Sequence, residues 1–149
     1  MATKYRYTEC GLDNVIIVNM DVVKDDAGEV VYMLPNINGL HKVIAYGILA
    51  QHFGMSPTEL RYLRSEIGMT QGELARLVKK DHQTIGRWER GEKPIDQNAE
   101  AIIRRIAADR LEIDIALSME ELAMRCVPTD DFHQIIVDGS DPENYKLAA

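Results

Sequence analysis

Residues 70–94, TQGELARLVKKDHQTIGRWERGEKP, decide the fold, because two helix start signals lie close together in them. Thr70 followed by Glu73 makes a capping box. The threonine hydroxyl accepts from the backbone N–H of Glu73, and the glutamate carboxylate reaches back to the N–H of Thr70. Leu74, Leu77 and Val78 then form an apolar helical stripe. Asp81 is placed to cap a second helix, its charge at the positive end of the dipole. That helix is expected to run to about Arg90, where Gly91 allows a left-handed stop and Lys93-Pro94 prevents continuation. Ile85, Trp88 and Glu89 share one side of it and are expected to face the protein. His82, Gln83, Gly86, Arg87 and Arg90 share the other. The spacing therefore predicts two short helices and a tight connection, the second helix carrying a cationic, amide-rich face.

Such a helix suits the major groove of DNA, where Arg pairs bidentately with guanine and Gln with adenine. A glycine inside a helix costs about 1 kcal/mol against alanine, so Gly86 points to a need for close approach. The pattern Thr-Gln-x-x-Leu-Ala-x-x-Val, then Thr-Ile-Gly-Arg-Trp-Glu-Arg-Gly-x-x-Pro, resembles the Cro/repressor (XRE) helix-turn-helix family over roughly residues 57–112. The resemblance implies that His82, Gln83 and Arg87 lie where base edges are read, with Gly86 among them leaving room for the duplex. It places Gln71, Arg90 and Lys93 where the DNA backbone is gripped, and Lys79, Lys80 and Thr84, beside the reading face, are expected to reach phosphates as well. It also pairs Arg64, on the preceding helix, with Glu89. An unpaired inward carboxylate would be costly, so this pair is assigned to scaffold and not to DNA contact. One departure stands out: the family has a Gly-Val-Ser-like turn, and this chain has Lys79-Lys80-Asp81.

The charge distribution suits that role better than the total does. The chain of 149 residues has a net charge of −7, but residues 56–112 hold 11 Lys/Arg against 10 Asp/Glu, and residues 76–93 hold six against three. Positive charge is concentrated on the reading head, and local field matters more than net charge. The acidic remainder should weaken nonspecific binding or meet a basic partner. With 46% apolar residues the chain can bury a core as one modest domain or a domain with an appended module. No run of eighteen apolar residues and no signal-peptide core are present, so a soluble cytoplasmic protein is expected, with no membrane partner. Cys10 and Cys126 are too few for a disulfide scaffold or a Cys-rich zinc site. The four histidines (41, 52, 82 and 133) form no close ligand pair, and neither a glycine-rich phosphate loop nor a Gly-x-Ser-x-Gly elbow occurs. No metal, cofactor or catalytic activity is expected.

Outside the reading head, Val15–Met20 and Val30–Leu34 are β-rich runs separated by a polar segment with Gly28, which predicts a β-hairpin between them. Ile37, Leu40, Ile44 and Ile48 recur at helical spacing. Ser56-Pro57-Thr58-Glu59 starts a helix that buries Leu60, Leu63 and Ile67, and a helix from about Gln97 is expected to bury Ile102, Ile103 and Ile106. Residues 111–117 alternate like a strand, yet Ser118 to Glu121 looks like a helix cap. Gln134–Val137 is a strand that pairs with the N-terminal hairpin or with a second subunit. The expected class is α+β, mainly α: a helix-turn-helix bundle with a small antiparallel β-element. The expected divisions are 1–54 (hairpin plus helix), 55–112 (helix-turn-helix) and 113–149 (an extension available for dimerisation).

Tyr7-Thr8-Glu9-Cys10-Gly11-Leu12-Asp13-Asn14-Val15, with Leu40-His41-Lys42-Val43-Ile44 ahead of the helix-turn-helix, is similar to the MqsA-type antitoxins and their zinc-free relatives. That resemblance implies an autorepressing regulator with a toxin partner; the CxxC pairs of the zinc-finger members are absent, so zinc is not carried over. The functional expectation is a sequence-specific, homodimeric DNA-binding regulator acting on a near-palindromic site in double-stranded DNA, with antitoxin activity. The alternatives are a stand-alone repressor and a protein-interaction module with a structural helix-turn-helix.

Overall fold

The computed structural model describes residues 3–148, which fall into two compact units. Among the described residues, one comprises 3–47 and 132–148, the other 48–131. The division differs from the one expected from sequence, because the C-terminal tail joins the N-terminal segment instead of standing as a separate extension.

In the first unit a four-stranded sheet runs in the order β1 (Lys4–Arg6), β2 (Val15–Val18), β5 (Ile135–Asp138), β6 (Lys146–Leu147). β1 and β6 pair antiparallel with their neighbours, and β2 and β5 pair parallel, with Val15 opposite Ile135 and Ile17 opposite Val137. Those four side chains are buried on one face, the period-2 pattern of a half-covered sheet. Helix α1 (Ile37–Ala50) presents Leu40 and Ile44 as fully buried residues. A Cβ on Gly47 would come within 3.2 Å of Ile135 and 3.3 Å of Leu147, so the glycine lets the helix approach β5 and β6.

The expected hairpin is replaced by a different pairing. β2 does not meet the Val30 run; it is taken by β1 and β5. Asn19, at φ +60°, ends the strand after Val18, and the chain restarts as β3 (Val22–Lys24), which pairs antiparallel with β4 (Val30–Tyr32) in a separate two-stranded sheet. The turn between them is tied by Asp25 Oδ1, which accepts the N–H groups of Ala27 and Glu29 at 2.9 and 2.8 Å.

The second unit is helical: α2 (Pro57–Glu66), α3 (Gln71–Leu77), α4 (His82–Glu89), α5 (Gln97–Arg110) and α6 (Met119–Arg125). α2, α3 and α6 each begin with a complete capping box, at Ser56–Glu59, Thr70–Glu73 and Ser118–Glu121. Leu60 and Leu63 are fully buried, as is Ile103, while Ile67 and Ile106 are half-buried. Ile102 is exposed, contrary to expectation. The inward face of α5 runs instead through Glu100, Ile103, Arg104, Ala107 and Ala108, so a charged pair holds positions that hydrophobicity alone assigns to isoleucine. The alternation in residues 111–117 does not produce a strand. Glu112 and Ala116 have φ of +55° and +53°, and these reversals break an extended run before the Ser118 cap starts α6. The whole is mainly helical with small β-elements.

Candidate nucleic-acid interface

Helices α3 and α4 are set by their caps. Thr70 Oγ1 accepts the Glu73 N–H and Glu73 Oε1 accepts the Thr70 N–H, both at 3.1 Å. On α3, Leu74, Ala75 and Val78 are buried. Leu77 is exposed, a correction to the predicted stripe: Ala75 lies inward where Leu77 was expected. The helix ends at Val78, and Lys79 turns left-handed at φ +60°. The Lys80 N–H then closes the end by donating to the Ala75 carbonyl at 2.9 Å. A lysine therefore occupies a conformation in which a Cβ is unfavourable by about 1 kcal/mol. Its exposed ammonium stem, with that of Lys80, projects at the start of α4.

Asp81 caps α4. Its Oδ1 accepts the Thr84 N–H at 2.9 Å and the Thr84 hydroxyl at 3.2 Å. The Thr84 N–H is the main reason that the Asp81 carboxyl is held below its usual range. Ile85 and Trp88 are buried. On the opposite side His82 and Gln83 are exposed, Arg87 is half-buried, and Arg90 and Lys93 are exposed where the helix ends.

Glu89 joins three helices. Its carboxylate receives Arg64 of α2 bidentately, Nε at 2.6 Å and Nη2 at 3.0 Å, and Gln71 Nε2 of α3 at 3.1 Å. Arg64 Nη1 also donates to the Met69 carbonyl at 2.9 Å. The Glu89 side chain is only 4% exposed, so its charge acts almost wholly on these partners, and it pushes the Arg64 guanidinium pKa upward. α4 is thus clamped to α2 and α3 from behind, and His82 and Gln83 stay exposed on its other side.

Two residues are placed differently from a simple reading face. Gly86 is buried: a Cβ there would come 3.0 Å from Arg90 Nη1 and 3.4 Å from Gln71 Oε1, so these two side-chain ends occupy the space the glycine leaves. Arg90 is also paired with Glu92, both groups exposed. Sequence reasoning missed this acidic neighbour and the Gln71–Glu89 bond. The first was visible as an acid two residues from an arginine, the second only through the packing of α3 on α4.

Residues 60–105 match the helix-turn-helix family model HTH_3. This segment is similar to Cro/C1-type helix-turn-helix domains. The helix-turn-helix supports DNA binding and transcription regulation as the class of work. Among curated proteins and solved structures nothing matches the chain significantly. Among the described residues there is no group of three or more His, Cys, Asp or Glu able to hold a metal, and no helix is long and apolar enough to cross a membrane.

Proposed function

We propose that the chain is a sequence-specific transcription repressor that reads double-stranded DNA with α4. His82, Gln83 and Arg87 contact base edges. Lys79, Lys80, Thr84 and Lys93 contact phosphates, joined by Gln71 and Arg90 beside Gly86. The observation that carries this is the two-sidedness of α4. Ile85, Trp88 and the Glu89 clamp fix one side, while the other presents an imidazole, an amide and a guanidinium flanked by lysines. One such helix reads only a few base pairs, too few to single out a site among a genome's competitors. A homodimer on a near-palindromic operator, with half-site centres about 34 Å apart, supplies the rest. The similarity of the N-terminal segment to MqsA-type regulators supports antitoxin activity as well, with the acidic flanks meeting a basic toxin. The cytoplasm is the compartment that fits this work.

An electrophoretic mobility shift on the DNA upstream of the chain's own reading frame, against a scrambled duplex of equal length, tests the proposal. Preference for the upstream DNA by about a thousandfold is expected of specific recognition. Equal affinity for the two duplexes would reduce the helix-turn-helix to a nonspecific or structural element.

A further inference from the structure

The hairpin β3–β4 displays more apolar surface than an isolated pair of strands can sustain. Val22, Val23, Val30, Val31, Tyr32 and Met33 are each between 39% and 53% exposed, and every residue from 21 to 33 is exposed. Two strands alone are marginally stable in water, and contiguous exposed apolar side chains of this extent mark a surface that is covered in use. The Tyr32 ring rests on Tyr5, at 4.8 Å between centroids, which anchors the hairpin without covering it. Among the described residues no further strand flanks either edge.

The hydrogen-bond pattern says which backbone groups remain outward. Met33 N–H donates to Asp21 O, and Asp25 N–H to Glu29 O. Alternation along an antiparallel ladder then makes Val23–Val31 a bonded pair, and turns the N–H and C=O groups of Val22, Lys24, Val30 and Tyr32 away from the hairpin. On the β3 edge Lys24 supplies the charge that blunts strand addition. The β4 edge offers Val30 and Tyr32 with no such guard.

We propose that β4 pairs antiparallel with β4 of a second copy of this chain across a two-fold axis at Val31. This register sets Val30 opposite Tyr32 of the other copy, and those are the residues whose backbone groups point outward. The pairing therefore makes four hydrogen bonds without shifting any backbone. It lines Val23 and Val31 of both copies into one apolar row on one face. It also sends the acidic turns, each with Asp25, Asp26 and Glu29, to opposite ends of the new sheet. A parallel pairing would bring those turns together, a one-residue slip would waste the outward groups, and a slip that moves the axis to Val30 or Tyr32 would keep only one bonded pair within the strand, so the Val31 register makes the most of the edge. The contact is confined to one three-residue strand edge per copy, well short of the ~1,000 Å² of a stable interface. The dimer is accordingly weak and concentration-dependent on its own. This contact stands apart from the DNA-binding reading and is measured without DNA.

The test uses the full chain and two variants. Sedimentation equilibrium across micromolar concentrations is expected to show reversible dimerisation, and V31K, which sets two like charges opposite each other on the axis, to weaken it at least tenfold. In a C10S background, V31C is expected to cross-link to a dimer under mild oxidation. Non-bonded antiparallel partners lie about 4.5 Å apart at Cα, within the range a disulfide spans. K24C, on the outer edge, is expected to cross-link far more slowly. A monomer throughout, an unchanged dimer constant for V31K, or equal cross-linking of V31C and K24C would each overturn the proposal.

Discussion

Arg104 and Glu100, one turn apart on α5, form an ion pair in which both side chains are almost completely shielded from water, at 0% and 4% exposure. Glu100 Oε2 accepts Arg104 Nε at 3.0 Å and Nη2 at 2.6 Å, and also takes the Met55 N–H at 3.1 Å. The remaining guanidinium N–H groups go to the carbonyls of Leu49, Gln51 and Phe53. The pair thus fastens the segment leading into α2, where no secondary structure satisfies those carbonyls. A buried pair contributes little net stability over a hydrophobic replacement, but removing one partner strands the other. Glu100→Ala is expected to destabilise the protein by about 3–5 kcal/mol, measured by urea melting. A loss below about 0.5 kcal/mol, the level of ordinary surface changes, would contradict the burial.

Glu89 holds the corresponding place behind α4. Glu89→Ala leaves the Arg64 guanidinium with only the Met69 carbonyl and is expected to cost about 3 kcal/mol, the low end for a broken buried pair because Arg64 retains some exposure. Glu89→Gln keeps the acceptor for Arg64 and should retain more stability than the alanine variant. Equal losses for the two would assign the effect to volume instead of hydrogen bonding.

How far these elements were legible depended on whether their causes were local. The three capping boxes, the Asp81 cap and the Gly91 stop are written within four residues of the helix ends they control, and α2, α3 and α4 could be placed from them. The strand pairing was not local. Nothing in Val15-Ile16-Ile17-Val18 names Ile135 as its parallel neighbour, 120 positions away, so the nearer Val30 run looked like the natural partner. On α5 the hydrophobic pattern chose Ile102 over Arg104, because an arginine reads as inward only when its carbonyl partners are known. The Glu100–Arg104 spacing was the one available signal. At the interface, α4's outward face followed from helical periodicity, while the filling of the Gly86 space by Arg90 and Gln71 required side-chain positions.

Lys79 offers a way to separate conformation from charge. At φ +60° glycine relieves the Cβ strain, so Lys79→Gly should raise stability by up to about 1 kcal/mol, partly offset by the added freedom of the unfolded chain. Lys79→Ala should leave stability nearly unchanged. If Lys79 contacts a phosphate, both variants should lower the magnitude of the slope of log K against log salt by about 0.9. A melting temperature that falls for Lys79→Gly would contradict the strained turn.

Cys126 supplies a pH dependence. Burial, its largest cause, pushes the thiol from its ordinary 9.0 up to about 12, so the folded state favours the protonated form. The associated stability is fully present below the unfolded thiol's pKa and is lost as pH rises from about 9 toward 12. Cys126→Ala should flatten that alkaline decline in denaturant melts. The native thiol should also resist alkylation at pH 8, where the thiolate is the reactive form. Rapid labelling of Cys126 without unfolding would contradict its burial.

Arg87 decides whether α4 reads sequence. It is the half-buried cation of the outward face, one turn after the exposed Gln83. A guanidinium in that position can meet the O6 and N7 atoms of one guanine with both arms, a contact that discriminates by about 1–3 kcal/mol against the wrong base. Arg87→Ala should therefore lose affinity for the operator by that amount and become indifferent to one base pair, while its affinity for scrambled DNA falls far less. A phosphate contact behaves differently: it weakens all sequences alike and reduces the salt slope. Binding curves for both duplexes at two or more salt concentrations separate the cases. Equal losses on operator and scrambled DNA would move Arg87 from the bases to the backbone and leave His82 and Gln83 to carry the specificity.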